Sequence, residues 1–212
     1  MLIEVWSDVV CPWCFIGKRR LEKAIAQLPD KSVVEIKHRA FQLQPDINEV
    51  VPTAKHLADK YRISESEVLA MQANVCSIAD GEGLCYDLSN TLSGKTLDAH
   101  RLLLWSAQSG KQDLLLENLY SAYFEKGEPV FSHTDLITIA KRVGLDEEQV
   151  RQVLESDEYA DQVKADQMVA SQLGANGVPF FVFDMKYGIS GAQPQEVFNQ
   201  TLATALAEHQ VK

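Results

Sequence analysis

The chain has 212 residues and 46% apolar side chains, enough for one large domain or two small ones with a real core, which excludes disordered and fibrous classes. Its 30 Asp and Glu against 20 Lys and Arg give a formal charge of -10 and a pI of about 5.0. That balance offers nothing to phosphate backbones or anionic lipid, so neither nucleic acid nor a membrane is an expected partner.

The opening residues MLIEVWSD carry Glu4 and Asp8 where a secretory leader would have basic residues and then an apolar run. No stretch approaches the ~20 apolar residues of a membrane span, and a cytoplasmic protein is expected. Leu2, Ile3, Val5 and Trp6 read as a buried strand that ends just before Cys11-Pro12-Trp13-Cys14. From Phe15, the residues Ile16, Leu21, Ala24, Ile25 and Leu28 form one helical stripe, stopped by Pro29-Asp30. Val33 to Phe41 has the β-branched content and partial alternation of a second strand. Thr53 to Ser156 shows no convincing strand but several helical segments. Ser64 and Glu67 form a capping box, Asp98 opens Leu102–Trp105 and Gly110 ends it. Leu114 to Phe124 follows, then helices capped by Ser132 and Asp146. Tyr159 to Leu173 is helical, Gly174-Ala175-Asn176-Gly177 breaks it, and Pro179 to Asp184 is a strand paired as a hairpin with Lys186 to Ser190. Gln195 to Glu208 closes the chain. The expected fold is α/β, with an all-helical insertion between a βαβ opening and an αββα close.

Four cysteines are too few for a disulfide-stapled scaffold. Cys11 and Cys14, two residues apart at a strand-to-helix junction, come close enough to form a disulfide. Pro12 fits the first helical position, which leaves Cys11 at the helix entrance beside unpaired backbone donors and the positive end of the dipole, a setting that favours a thiolate. Cys11 is therefore the expected nucleophile. Cys14, flanked by Trp13, Phe15 and Ile16, is better shielded and suits the resolving role. A zinc site would need two more ligands; Cys76 and Cys85 are too far apart in sequence to supply a second Cys-x-x-Cys, so no metal is expected.

The segments Ser7-Asp8-Val9-Val10-Cys11-Pro12-Trp13-Cys14-Phe15-Ile16-Gly17-Lys18, Thr96-Leu97-Asp98-Ala99-His100-Arg101-Leu102, Gly177 to Phe183 and Ser190 to Pro194 resemble the FrnE-like branch of the DsbA thioredoxin-fold family. The resemblance spans nearly the whole chain. It implies a thioredoxin-like domain made of residues 1–50 and 157–212, interrupted by a helical domain over 51–156. It also implies thiol-disulfide oxidoreductase activity (protein disulfide reductase, isomerase or oxidase) without a tightly bound cofactor. Protein or small thiols and disulfides would be the substrates, the Cys11/Cys14 disulfide the redox centre, and glutathione or another thiol the reductant. By the same resemblance Val178-Pro179 is a cis-proline dipeptide facing the active disulfide, where residue 178 can pair with an incoming substrate strand. A trans proline opening the strand is also physically sensible; the resemblance favours cis. The sequence departs from the family in three places. Trp13 stands where many DsbA-type oxidants carry histidine and brings no charge, which implies a moderate potential between about -270 and about -120 mV. Lys95 stands where relatives usually have Asn, and Cys85 is generally absent from them.

Asp8 reads either as a partly buried acid that helps deprotonate Cys14 or as a turn residue holding the loop. His100 shares a helix face with Leu97 and Leu104 and reads as a satisfied interface histidine more readily than as a substrate-facing group. Lys18, Arg19 and Arg20 read as a solvated helix face, Phe180, Phe181 and Phe183 as core, and Cys76 and Cys85 as buried packing residues rather than a second redox pair. Two other functions are compatible with the fold. One is a glutathione-dependent isomerase or transferase of the 2-hydroxychromene-2-carboxylate isomerase or kappa-class type, against which both cysteines argue. The other is a chaperone-like binding module using the helical insertion.

Overall fold

The computed structural model describes residues 1–209. The N-terminal apolar run forms β1 (Leu2–Ser7), and a short turn leads into α1 (Pro12–Ala26), with Cys11 at the N-cap and Pro12 as the first helical residue. At the Pro29-Asp30 stop, Asp30 accepts a hydrogen bond from the Ser32 N–H at 2.9 Å and winds Lys31–Val33 into a 3₁₀ turn. Hence β2 (Glu35–Ala40) starts later than the expected Val33, and it ends one residue before Phe41.

The middle of the chain is mostly helical. A two-residue ribbon, β3 (Val51–Pro52), precedes α2 (Thr53–Tyr61) and α3 (Glu65–Gly81), the latter started by the expected Ser64/Glu67 capping box. Strand β4 (Leu92–Ser93) pairs antiparallel with β3, Val51 opposite Ser93 and Pro52 opposite Leu92, which corrects the expectation of an all-helical insertion. Two residues are too few to show alternation, and the partner lies about 40 positions away, so no local pattern announces the pair. Next come α4 (Leu97–Ser106), α5 (Gln112–Tyr120), α6 (His133–Arg142) and α7 (Glu147–Glu155). The N-cap of α4 is Thr96, not Asp98; Asp98 sits inside the first turn and pairs with Arg101 at 2.8 Å. Ser132 and Asp146 cap α6 and α7 as predicted, and Gly110 ends the α4 region in the left-handed conformation. Helix α5 widens into a π turn at Ser121–Glu125, where the buried Phe124 lies against the rings of Tyr86, Tyr120 and Tyr123. Leu102, Leu115, Leu119, Leu136, Ile139, Val150 and Leu154 fill this unit's core.

The chain returns to α/β with α8 (Ala160–Gln172), β5 (Phe180–Phe183), β6 (Tyr187–Ser190) and α9 (Gln195–His209). The four long strands form one sheet in the order β2-β1-β5-β6, with β1 parallel to β2 and antiparallel to β5, and β5 antiparallel to β6. Period-two alternation divides the side chains between the two faces. Ile3, Val5, Phe181, Phe183 and Ile189 pack under Leu21 and Ala24 of α1 and Phe198, Leu202 and Ala205 of α9. Trp6, Phe180 and Val182 pack with Ala170 of α8 and with Ala175. All four residues of β5 are buried, which explains why it reads as a continuous apolar run. A mixed sheet with helices on both faces is the thioredoxin-like layout that the resemblance implied.

The chain forms two compact units, Met1–Leu43 with Lys164–Lys212, and Gln44–Val163. The sequence placed the divisions after residues 50 and 156. Helix α8 runs through the second division without a break, so no turn residue marks it. The last three residues of the 157–212 segment lie outside the described residues.

The β5–β6 turn is closed by the Lys186 N–H donating to the Phe183 carbonyl at 2.9 Å, and its central residues Asp184 and Met185 have φ of 50° and 55°. Aspartate tolerates that region; methionine does not, and Met185 is 61% exposed, so its side chain gains little there. Met185→Gly is expected to stabilise the protein by about 0.5–1 kcal/mol in urea denaturation. A destabilised variant would show that the exposed thioether makes a contact worth more than the backbone gain.

Candidate active site

Strand β1 delivers the chain to the 8–11 turn, and the turn sets Cys11 at the entrance of α1. The Cys11 N–H donates to the Asp8 carbonyl at 3.1 Å, and the Cys14 N–H donates to the Cys11 carbonyl at 3.0 Å, so both cysteines sit on one hydrogen-bonded turn. Both are free thiols. At 4% and 2% exposure they differ little in burial, so the expected contrast between an open Cys11 and a shielded Cys14 does not hold at the level of whole residues. What separates them is their surroundings. The Cys11 Sγ donates to the Val178 carbonyl at 3.5 Å, a contact between the α1 entrance and the loop before β5. Burial first, then the hydrogen bond and charge of Cys11, push the Cys14 thiol well above its ordinary value; a backbone hydrogen bond at Asp8 works the other way. Cys14 is therefore held as a protonated thiol at neutral pH.

Asp8 is 1% exposed, and its Oδ2 accepts from the Leu43 N–H at 2.7 Å. It thus ties the active-site turn to the segment after β2, which is the loop-holding role. Its charge also adds to the upward push on the Cys14 thiol. The Val178–Pro179 peptide is cis, and the Pro179 carbonyl accepts from the Gly191 N–H at 2.8 Å. Pro12 and Trp13 are partly exposed, on the first turn of α1. Cys11, Cys14, Asp8, Val178 and Pro179 are thus gathered within one unit, although the last two lie about 170 residues from the first three.

The basic trio of α1 is not a solvated face. Lys18 is buried and pairs with Glu22; Arg19 pairs with Glu22 at 2.8 Å and lies 4.6 Å over the Phe15 ring; Arg20 donates to the Ala192 carbonyl at 2.7 Å and the Gln193 carbonyl at 3.0 Å. His100 belongs to α4 of the helical unit and is 2% exposed. Cys76 is half-buried in α3, but Cys85 is exposed beyond it, its N–H donating to Glu125 Oε1 at 3.2 Å. The packing reading thus fails for Cys85. Among the described residues, no three or more His, Cys, Asp or Glu side chains are grouped so as to hold a metal ion.

Two features had no role in the sequence reading. Arg39 of β2 bridges Glu4 Oε1 of β1 at 2.5 Å and Asp166 Oδ1 of α8 at 3.0 Å. Asp166 also accepts from the Ala40 N–H through its carboxylate at 3.0 Å and from Trp6 Nε1 through its carbonyl at 2.8 Å. Burial pushes the Asp166 carboxyl up against the pull of Ala40 and Arg39. The other is Gly17, packed against Pro179 and Phe181. Its one signal in the sequence is a glycine inside an otherwise strong helical stripe.

A crystal structure of a probable DsbA oxidoreductase from Streptomyces coelicolor is 44% identical to this chain and superposes with a TM-score of 0.94, covering 98% of this chain and 91% of the other. The cytosolic disulfide reductase DsbM from Pseudomonas aeruginosa shares the fold at a TM-score of 0.68 and 15% identity, over 98% of this chain and 99% of that one. An uncharacterized protein of Bacillus subtilis, YwbO, is 24% identical over 203 residues, 95% of each chain. The DSBA-like thioredoxin domain profile matches residues 2–203, nearly the whole chain, and with the sheet order and the Cys11 turn already described it makes this protein a member of that family.

Proposed function

We propose that the protein is a thiol-disulfide oxidoreductase in which Cys11 is the attacking sulfur and Cys14 the resolving one. The observation that carries this is the chemical asymmetry of the pair: Cys11 caps α1 beside the Val178 carbonyl, while burial and Cys11 itself hold Cys14 as a thiol. In the reducing direction, Cys11 as thiolate attacks one sulfur of a substrate disulfide. A Cys11–substrate bond forms, and the other substrate sulfur leaves and takes a proton. Loss of the negative charge on Cys11 removes one of the influences that keep Cys14 protonated. Cys14 then gives up its proton, with the buried Asp8 carboxylate as the proposed acceptor, and attacks Cys11. The second substrate thiol is released and the enzyme is left as the Cys11–Cys14 disulfide. Two electrons have passed to the substrate, and an external thiol such as glutathione restores the dithiol. The same steps run backwards oxidise a substrate dithiol.

An extended substrate segment would lie along the Val178 backbone, whose carbonyl already approaches Cys11. The likeness in fold to the cytosolic disulfide reductase DsbM is consistent with a cytoplasmic protein acting on protein or small-molecule disulfides.

A trapping experiment tests the order of the two sulfurs. With Cys14→Ala in a Cys85→Ala background, which removes the exposed thiol, insulin should accumulate as a mixed disulfide that peptide mapping places on Cys11. An adduct on Cys76 instead, or none, would remove the basis for the assignment.

A further inference from the structure

We propose that Gly17 is a positioning residue of the Cys11 site: the side chain it lacks lets α1 seat against Pro179 and Phe181, and that seating sets the reach between Cys11 Sγ and the Val178 carbonyl. The inference rests on the oxidoreductase reading above. A glycine inside a helix is less favourable than alanine, and Gly17 does not have the positive φ that would call for glycine. Space is the remaining reason. A Cβ on Gly17 would stand 2.9 Å from Cζ of Phe181, closer than a carbon contact allows, and 3.1 Å from Cγ of Pro179, tight enough that the ring would have to give by a few tenths of an ångström. Gly81, the last residue of α3, has no atom within 4 Å of the same hypothetical Cβ, so crowding is not a general property of this chain's helical glycines.

Neither neighbour of Gly17 can yield easily. Phe181 is fully buried in the middle of the sheet, edge-on to Phe198 at 4.9 Å. Pro179 is a rigid ring whose carbonyl is held by Gly191. An added methyl group must therefore lift the start of α1 away from β5. Cys11 stands at the N-cap of that helix, less than two turns before Gly17, and Val178 adjoins Pro179 on the opposing wall. A displacement of several tenths of an ångström opens the 3.5 Å contact between them. Two effects of opposite sign follow. The carbonyl stands against the Sγ of Cys11, a residue only 4% exposed, so drawing it away opens the sulfur to a small electrophile. An extended disulfide substrate, which must meet Cys11 and the Val178 backbone together, docks less well.

The test uses the full chain in a Cys76→Ala, Cys85→Ala background, so that alkylation reports the Cys11/Cys14 pair alone. Gly17→Ala is expected to speed iodoacetamide alkylation of Cys11 at pH 7 by about threefold and to raise the KM for insulin in dithiothreitol-driven reduction by about tenfold, with a smaller loss of kcat. Gly81→Ala should move neither. Adding Phe181→Leu to Gly17→Ala removes the closer of the two contacts and lets α1 settle back, so alkylation rate and KM should both move back toward the parent in that double variant. Parent-like alkylation and KM in a folded Gly17→Ala protein would overturn the proposal. So would a double variant in which neither moves back, since the effect of the added methyl would then not act through the seat of α1 on Phe181. If Cys11→Ser reduces insulin as fast as the parent, the oxidoreductase reading itself falls, whatever the alkylation rates of Gly17→Ala show.

Discussion

Cys11→Ser is expected to reduce dithiothreitol-driven insulin reduction by on the order of 10³-fold or more, to the uncatalysed background. A serine hydroxyl does not ionise in this pH range and cannot exchange with a disulfide, so neither the mixed disulfide nor the Cys11–Cys14 bond can form. The substitution is nearly isosteric at a site 4% exposed, and the Asp8 carbonyl still receives the N–H of residue 11, so the fold should persist with a melting temperature within a few degrees of the parent. The contrast with Cys14→Ala is informative, because that variant keeps the first chemical step and loses only release. Full turnover by Cys11→Ser would remove Cys11 as the attacking sulfur, and a parent protein with no turnover above background would favour a non-catalytic binding module instead. Glutathione-stimulated turnover of a small aromatic substrate that survives the change would favour the isomerase or transferase alternative.

The largest stability effect is expected at Arg101, which is 3% exposed in α4. Its guanidinium donates to the carbonyls of Val153 at 2.5 Å, Glu158 at 2.7 Å, Leu154 at 3.5 Å and Ser156, and it pairs with Asp98 at 2.8 Å. These carbonyls lie at and just beyond the C-terminal end of α7, where the helix cannot satisfy its own acceptors and the dipole favours a cation. Arg101→Met keeps much of the apolar stem but leaves several desolvated acceptors without a donor. A loss of about 3–5 kcal/mol is expected in urea denaturation followed by circular dichroism, with Arg101→Lys falling between the two because an ammonium cannot match the planar fork. The Asp98 pair contributes little to that figure, since Asp98 is one-third exposed and also contacts His133 Nε2 at 3.2 Å. A loss below about 1 kcal/mol for Arg101→Met would mean that water replaces the guanidinium at the end of α7.

These two residues differ in how they could be found. Cys11 announces itself, because Cys-Pro-x-Cys between a strand pattern and a helical stripe has a direct chemical meaning. Arg101 stood next to His100 in a recognisable segment, yet what it does depends on carbonyls more than 50 positions away. The basic trio of α1 shows the reverse error. On a helical wheel Lys18, Arg19 and Arg20 look solvated, whereas Arg20 is in fact committed to the loop before α9. Cys85 misled in the same way: free cysteine is most often buried, and only the placement of the chain after α3 leaves this one exposed.

What the sequence determined by itself is what short-range physics encodes. Hydrophobic period places the long strands and most helices, side-chain caps at Ser64, Ser132 and Asp146 start three of them, and Pro12 fixes the entrance of α1 with Cys11 ahead of it. What only the tertiary structure decided is every feature that joins distant positions. These are the β3–β4 ribbon, the Arg39 bridge from Glu4 to Asp166 across 35 and 127 residues, the meeting of Cys11 with Val178, and the close seat of Gly17 on Pro179 and Phe181. The physical reason is that hydrophobic burial and backbone hydrogen bonding within an element depend on neighbours three or four residues away. A salt bridge, a sulfur–carbonyl contact or a steric fit depends on which sheet order and helix placement the whole chain adopts.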